Sequence, residues 1–269
     1  SPASGLSNDN TPIFSGSGLA AENGGSAIVY EDSGCSSIVG SAVISGGIFT
    51  INKTYLTDGS DDGVHAYYGK VFDIANNQSA CTNLALGYTL DTQAPTAPSI
   101  LINGGAAYTT SVASTLTIGG IGATEMYITA TAGCASGGVW EAFNVSKAYT
   151  LTANAMNNVY LKLRDASLNE STCSSDSIVH DNTIPNNVSG LVLTGNATVT
   201  TSDTTSWTGT TDVGPAGISH YEFAVSTTTS AANIIVGGGW INVGLVTSYQ
   251  ITSGITLAGA TNYYTLIRA

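Results

Sequence analysis

The chain has 269 residues, enough for two or three domains, and 42% of them are hydrophobic, which is enough to fill their cores. Only 9% are charged, and the 18 acidic residues outnumber the six basic ones to give a net charge of −12. Because the sequence has no cluster of cations, we expect neither a nucleic acid nor an anionic membrane surface as a partner. No apolar run approaches the roughly 20 residues that span a bilayer, so we expect no direct membrane insertion in this segment.

Short runs in which polar and apolar residues alternate recur along the chain, for example at 26–30, 64–68 and 158–163. A period of two with β-branched and aromatic residues predicts strands, and the intervening clusters of Gly, Asn, Asp and Ser predict turns. No stretch longer than about ten residues keeps a helical pattern of apolar residues. The sequence therefore predicts an all-β protein.

Two segments, 71–81 and 163–173, follow one pattern. Each has an apolar strand, then an aspartate (Asp73 or Asp165), then an Asn four residues after it and a Cys eight residues after it. Internal similarity of this kind is typical of proteins built from repeated modules. We therefore expect at least two consecutive modules of one architecture.

A second shared pattern marks where the modules end. Asp91 and Asp181 each precede a proline by four residues, and a proline ends the ladder of a strand and stiffens its exit. The predicted boundaries are 1–93 for module one, 94–184 for module two and 185–269 for module three. A length of about 90 residues with about seven short strands is typical of an immunoglobulin-like sandwich. The predicted fold is therefore three β-sandwich modules in tandem.

The four cysteines allow three connectivities, and their matching places in modules one and two select Cys35–Cys81 and Cys134–Cys173. Each bond would close a loop of roughly 40 residues and would stabilise its module by about 4 kcal/mol if chain entropy dominates. Disulfides persist only in oxidising compartments, so an extracellular or cell-surface location is expected. No Cys-x-x-Cys pair supports a zinc or haem site instead.

The segments 7–16, 73–77 and 165–169, together with the linker 91–95, resemble the immunoglobulin-like repeats of large bacterial surface adhesins. The resemblance covers most of modules one and two. It implies sandwich modules on the surface of a bacterium or secreted from it, and it says little about the ligand.

Module three resembles a fibronectin type III domain instead. Trp207 stands at the place of that family's core Trp, 220–225 resembles its next core strand, and 262–269 resembles its tyrosine-corner strand. The pattern stops there, so we expect this module to lack its final strand. Three explanations are open: the chain is a fragment of a longer array, the remaining residues are disordered, or a neighbouring chain supplies the strand. The first is favoured, because residues 1–10 are too polar and Gly-rich to donate a strand.

The resemblance also implies calcium, which the linkers of related adhesin arrays often carry. Asp91 and Asp181 lie at the two predicted joints, and Asp73 and Asp165 lie on turns that could approach a module end. Carboxylate oxygens are the ligands that calcium prefers. The alternative is that Asp73 and Asp165 cap their own turns through side-chain-to-backbone hydrogen bonds. We expect no other cofactor.

Two tryptophans are candidate ligand-binding residues. Trp140 and Trp240 each follow a group of glycines, and an aromatic beside a flexible loop can make an exposed contact such as stacking on a sugar. The alternative for both is ordinary packing at the start of a strand. Catalysis is not expected, because the three histidines fall in three different modules and no Gly-x-Ser-x-Gly elbow occurs.

The sequence leads to three hypotheses of function. The first is a structural or adhesive segment of a bacterial surface adhesin, in which the modules form a stalk or bind a protein or glycan on another cell surface. The second is a repeating subunit of an extracellular filament, in which copies of the chain complete one another's sheets. The third is an accessory binding region of a secreted enzyme.

Overall fold

The computed structural model describes residues 5–194, 203–235, 239–251 and 262–269. These residues form strands, turns and three single-turn 3₁₀ helices, so the described chain is an all-β protein of tandem β-sandwich modules. No helix in these four ranges has the length and hydrophobicity to cross a membrane.

Within module one the strands belong to three sheets, with the orders β2-β5, β4-β3-β7-β8 and β1-β9-β6. Apolar side chains of these strands and of the adjoining loops pack into one cluster. The strands are β1 (Gly5–Ser7), β2 (Ile13–Gly16), β3 (Ser26–Tyr30), β4 (Ile38–Val43), β5 (Phe49–Asn52), β6 (Gly63–His65), β7 (Tyr68–Phe72), β8 (Thr82–Asn83) and β9 (Tyr88–Leu90). The cluster contains Phe14, Val29, Ile51, Tyr55, Tyr67, Tyr88 and Leu90.

Module two has a three-stranded sheet in the order β10-β12-β15 and a five-stranded sheet in the order β11-β17-β16-β13-β14. The alternation in β16 is clear, since Val159, Leu161 and Leu163 are fully buried while the residues between them are not. Pro98 lies in β10, an edge strand, where a residue without an N–H is tolerated. The strands are β10 (Thr96–Ile102), β11 (Tyr108–Thr109), β12 (Ala113–Ile121), β13 (Glu125–Thr129), β14 (Trp140–Ala142), β15 (Ser146–Thr150), β16 (Ala155–Arg164) and β17 (Ser174–His180).

Module three has two three-stranded sheets, in the orders β18-β19-β22 and β21-β20-β23. Its interior contains Trp207, which is 5% exposed. The ring centres of Trp207 and Tyr221 lie 5.8 Å apart. The strands are β18 (Ser189–Thr194), β19 (Thr204–Thr208), β20 (Tyr221–Ser226), β21 (Ile241–Gly244), β22 (Ser248–Gln250) and β23 (Tyr264–Arg268).

In the described residues of module three, the strand β23 has a paired neighbour on one side only. In module two the strand β16 has β17 on one side and β13 on the other. Its counterpart β23 pairs with β20 alone, so one edge of β23 is the edge of the sheet.

By proximity of their Cα atoms the residues fall into two compact units. One comprises Ser1–Ile100, Ile118–Ser146 and Val159–Ser175, and the other comprises Leu101–Thr117, Lys147–Asn158 and Asp176–Ala269. The border passes through the middle of module two, so each unit contains one predicted joint. The module boundaries at 93 and 184 stay predictions.

Two disulfides join the cysteines that the repeat pairs. Cys35 is bonded to Cys81 with their Cα atoms 6.0 Å apart, and Cys134 is bonded to Cys173 with their Cα atoms 5.9 Å apart. Each bond connects the loop after the strand β3 or β13 to the segment after β7 or β16. The two modules therefore carry the same covalent crosslink at the same place in the fold.

Candidate functional site

The duplicated turn has the same hydrogen bonds in both modules. The Asp73 carboxylate accepts from the backbone N–H of Asn77 at 2.7 Å and from its side-chain amide at 2.7 Å. The Asp165 carboxylate accepts from the corresponding two groups of Asn169, each at 3.0 Å. Both aspartates therefore cap their own turns, which is the second of the two roles expected for them.

The environment of the two turns differs. Asp165 and Ser167 are 7% and 3% exposed, whereas Ala75, the counterpart of Ser167, is exposed. Ile74 in the first turn is 79% exposed. The turn of module two is covered by neighbouring chain, whereas residues 74–77 in the turn of module one are exposed.

The first predicted joint explains this burial. The Ser167 hydroxyl donates to the carboxylate of Asp91 at 2.8 Å, and the Asn169 side chain donates to the Asp91 carbonyl at 2.8 Å. Asp91 follows β9 directly, and its own N–H donates to the Ser7 carbonyl at 3.0 Å. The end of module one is therefore hydrogen-bonded to a turn of module two by both its side chain and its backbone.

A further carboxylate, whose contact with the linker was not predicted from the sequence, holds the same linker. Asp62 accepts from the backbone N–H of Thr92 at 3.0 Å and from its hydroxyl at 2.9 Å. The two residues are 30 positions apart, so only the pairing of β6 with β9 brings them together. The linker is thus fixed on the module one side as well.

Asp181 has the corresponding place at the second predicted joint. Its carboxylate accepts from the Thr183 hydroxyl at 2.5 Å and from the Ala216 backbone N–H at 2.9 Å. The Thr183 hydroxyl also lies 3.3 Å from the Asp212 carboxylate. The Thr183 hydroxyl and then the Ala216 N–H lower the pKa of Asp181, because both stabilise its charged form. A linker aspartate again contacts the neighbouring module.

The four aspartates proposed as calcium ligands are each engaged by hydrogen-bond donors of the protein. In the parts of the chain that the structure describes, no three His, Cys, Asp or Glu side chains lie together as they would around a metal ion. Calcium at the joints stays a proposal. A calcium ion at the second joint would use Asp212, beside Asp181, as a further ligand.

Both candidate tryptophans stack on an arginine. Arg164 lies 4.3 Å from the ring centre of Trp140, and Arg268 lies 4.3 Å from that of Trp240. Each arginine also forms a 2.5 Å ion pair, Arg164 with Glu125 and Arg268 with Glu222.

The two Glu-Arg-Trp sets are equivalent in the fold. Glu125 is opposite Arg164 in the pairing of β13 with β16, and Glu222 is opposite Arg268 in the pairing of β20 with β23. The sequence analysis singled out the tryptophans and missed the arginines and glutamates. One face of each indole is used for packing against a guanidinium, which supports the packing interpretation of both residues.

Comparisons with known proteins give no family for this chain. No protein-family model matches it and no curated protein matches it. Among solved structures, fibronectin(III)-like modules of Clostridium thermocellum CbhA match with 11% identity and a TM-score of 0.40, over 68% of this chain and 93% of that one. The chicken CNTN1 FN1–FN3 domains match with 10% identity and a TM-score of 0.38, over 90% of this chain and 83% of that one.

A tetra-tandem repeat from the extending region of a large adhesion protein also matches, with 18% identity and a TM-score of 0.28, over 93% of this chain and 63% of that one. At these identities and TM-scores the similarities place the chain in no family and assign it no function.

Proposed function

We propose that the chain is a structural and adhesive segment of a bacterial extracellular or cell-surface protein, in which tandem sandwich modules form a stalk or present a binding surface. The observation that carries the proposal is the pair of joints. At each joint an aspartate that follows the last strand of one module is hydrogen-bonded to the next module, through Ser167 at the first joint and Ala216 at the second. Such contacts restrict hinge motion at the joints.

The covalent framework supports an extracellular location. All four cysteines are in disulfides, and such bonds are rare in reducing compartments. The low proportion of charged residues also fits a surface of Ser, Thr, Asn and Gly rather than one built for ionic partners. The proposed partner is a protein or glycan on another cell surface, bound on loops at a module end, and no catalytic activity is proposed.

The stiffness of the first joint tests the proposal. In the wild-type chain, ¹⁵N relaxation is expected to show modules one and two tumbling together. Ser167→Ala combined with Asn169→Ala removes both contacts to Asp91 and is expected to let the modules tumble separately. Asn77→Ala is the matched control, because Asn77 has the same place in a turn that meets no other module in the described residues. Independent tumbling in the wild type would refute a stalk.

A filament subunit is the second candidate, in which the edge of β23 would accept a strand from another copy. Copies of the chain would complete one another's sheets by adding a strand to that edge. Sedimentation velocity across a hundredfold range of protein concentration tests this function. Fibres or a ladder of oligomers would support it, and a constant monomer would exclude it.

The third candidate, an accessory binding region of a secreted enzyme, depends on Trp140 or Trp240 binding a sugar. A glycan array is the direct test. Glycan binding that is lost when either residue is replaced by Ala would support this candidate. No glycan binding, or binding that both replacements leave unchanged, would exclude this candidate.

A further inference from the structure

The strand β4 is an edge strand of module one. It forms one end of the sheet β4-β3-β7-β8, and in the described residues it pairs with β3 alone. Every residue from 5 to 194 is described, so the strands and loops around β4 are all known. The first described strand, β1, belongs to a different sheet, in the order β1-β9-β6. The outer edge of β4 is therefore a property of the middle of the module.

The backbone of β4 presents hydrogen-bonding groups along this edge. The Ile44 N–H donates to the Gly25 carbonyl at 2.9 Å, and the Gly24 N–H donates to the Ile44 carbonyl at 2.9 Å. Alternate residues of an antiparallel strand point their backbone groups towards the same neighbour. Ser41 and Val43 therefore point their N–H and carbonyl groups away from β3, and no other described strand pairs with them.

One face of β4 is packed and the other is exposed. A Cβ on Gly40 would collide with the Ile51 side chain, and Ala42 packs against the apolar cluster of module one. Val43 is 66% exposed and Ile38 is 62% exposed. The core therefore holds the strand in place through one face, while its outer edge and two large aliphatic side chains face water.

The sequence of β4 lacks the devices that usually protect an edge strand, which are charged residues, prolines and bulges. It contains no proline, and no charged residue occurs between Asp32 and Lys53. Its ladder with β3 is irregular only near its start. The counterpart in module two, β14, is three residues long and includes Glu141. The edge of module one is therefore both longer than its counterpart in module two and uncharged.

The spacing of the outward groups makes this edge complementary to itself. In an antiparallel pair centred on Ala42, Ser41 of each copy lies opposite Val43 of the other. Residues opposite each other in this way exchange both backbone hydrogen bonds. The four outward N–H groups of the two copies thus meet the four outward carbonyls, and none is left over. The edge has no charged side chain that would select an unlike partner, whereas a second copy carries the same groups at the same spacing.

We infer that β4 pairs antiparallel with β4 of a second copy of this chain, in the register centred on Ala42. The pairing joins two four-stranded sheets into one sheet of eight strands. It has two-fold symmetry, so it closes at a dimer and builds no filament. It also brings no charged strand residues together, which matters because two copies of net charge −12 repel each other. The inference goes beyond the proposed function, since it joins two stalks side by side.

Sedimentation velocity of the whole 269-residue chain at rising protein concentration tests the pairing. An equilibrium between monomer and dimer that goes no further is expected. The dimer should be weak, with a dissociation constant below about 1 mM, because one strand pair is smaller than a standard interface of about 1,600 Å². Added salt should strengthen the dimer, because it screens the repulsion between the two acidic copies.

A pair of chain variants locates the contact. Val43→Lys places a charge on the edge and is expected to weaken the dimer at least about tenfold, although it lowers the net negative charge. Val139→Lys is the matched control, because Val139 is 78% exposed, lies outside the strands and gives the same change in net charge. It should leave the dimer unchanged. Ser41→Lys, at another exposed residue of the strand, should act as Val43→Lys does. A native circular dichroism spectrum checks the fold of each variant.

Amide hydrogen exchange identifies the groups that pair. The N–H groups of Ser41 and Val43 should exchange more slowly at concentrations where the dimer forms than at those where the monomer prevails. The N–H of Ala42 points towards β3 in both states, so its exchange should depend less on concentration.

Three results would each overturn the inference: a chain that stays monomeric up to about 1 mM, a dimer that Val43→Lys leaves unchanged, or exchange at Ser41 and Val43 that is independent of concentration. A ladder of oligomers that is indifferent to Val43→Lys would also overturn it and would point to the edge of β23 instead. The stalk is tested separately, because the ¹⁵N relaxation experiment can be done on the monomeric Val43→Lys chain. Independent tumbling of modules one and two there would refute the stalk and leave the pairing of β4 standing.

Discussion

Ser167 donates a hydrogen bond to the carboxylate of Asp91, 76 residues earlier in the chain, at 2.8 Å. Ser167 is 3% exposed and Asp91 is half-buried, so this contact is partly shielded from water. Its counterpart in module one is Ala75, which is exposed and has no hydroxyl. The repeat whose turn contacts the linker therefore has a hydroxyl at this position, and the other repeat does not.

Asn169→Ala is expected to destabilise the protein more than Asn77→Ala does. Both replacements remove the side-chain bond to the turn aspartate, but only the first also leaves the Asp91 carbonyl without its donor. The difference should be about 1 kcal/mol, the net value of one hydrogen bond. Urea unfolding of the two variants under the same conditions measures it. Equal free energies of unfolding would show that the joint contact adds no stability.

Loss of either disulfide should weaken the module that contains it. The bonds span 46 and 39 residues, so loop-closure entropy predicts about 4 kcal/mol for each. The paired replacement of Cys134 and Cys173 by Ser should lower the unfolding midpoint of module two and leave that of module one nearly unchanged.

Thiol titration of the denatured, unreduced chain provides the control, because it should detect no free thiol. A reactive thiol in that sample, or an unchanged midpoint in the paired variant, would contradict the assignment of the bonds.

The features that the sequence could predict are those repeated locally. The alternation in β16 identified its buried residues, and duplication of the segments around Cys81 and Cys173 selected the disulfides. Each of these depends on residue spacing within one strand or on comparison of one copy with the other.

The contacts that sequence reasoning missed depend on which strands lie side by side. Arg164 reaches Trp140 across β13, and Glu125 reaches Arg164 through strand register. Asp62 reaches Thr92 through the pairing of β6 with β9. The spacing of such residues along the chain has no period, so no local pattern shows that they meet. The position of Arg164 directly before the repeated turn is the one sequence feature that could have drawn attention to it.

Acid should weaken the second joint through Asp181. The Thr183 hydroxyl and the Ala216 N–H lower the pKa of this carboxyl below its ordinary value. Below about pH 5 the unfolded chain, whose aspartates titrate near 3.9, therefore binds more protons than the folded one. The stabilisation is present above that range and is lost as the pH falls through the folded pKa.

The effect of pH on urea unfolding between pH 7 and pH 2 measures this linkage. Asp181→Asn should flatten the acid limb of the curve, and Thr183→Val should do so in part because the Ala216 donor remains. Curves that stay parallel to the wild-type curve would show that Asp181 makes no pH-dependent contribution.

Alkali should weaken module one through two buried phenols. The Tyr55 hydroxyl lies 2.7 Å from that of Tyr67 and donates to Glu31 at 2.8 Å. Burial raises the pKa of Tyr55 well above its usual range and raises the pKa of Tyr67 to about 12. The unfolded chain, with tyrosines near 10, loses these protons first, so the stabilisation is complete below pH 10 and falls as the pH rises towards 12.

Absorbance at 295 nm follows the ionisation of the 13 tyrosines. In 8 M urea all should titrate together near pH 10, whereas in the native chain a late fraction should appear only near or above pH 12. Tyr67→Phe should remove one tyrosine from that late fraction and leave the early one unchanged. The same replacement keeps the ring in the apolar cluster of module one, so a native circular dichroism spectrum at pH 7 is its control. A native titration that coincides with the denatured one would show that the pair is open to solvent.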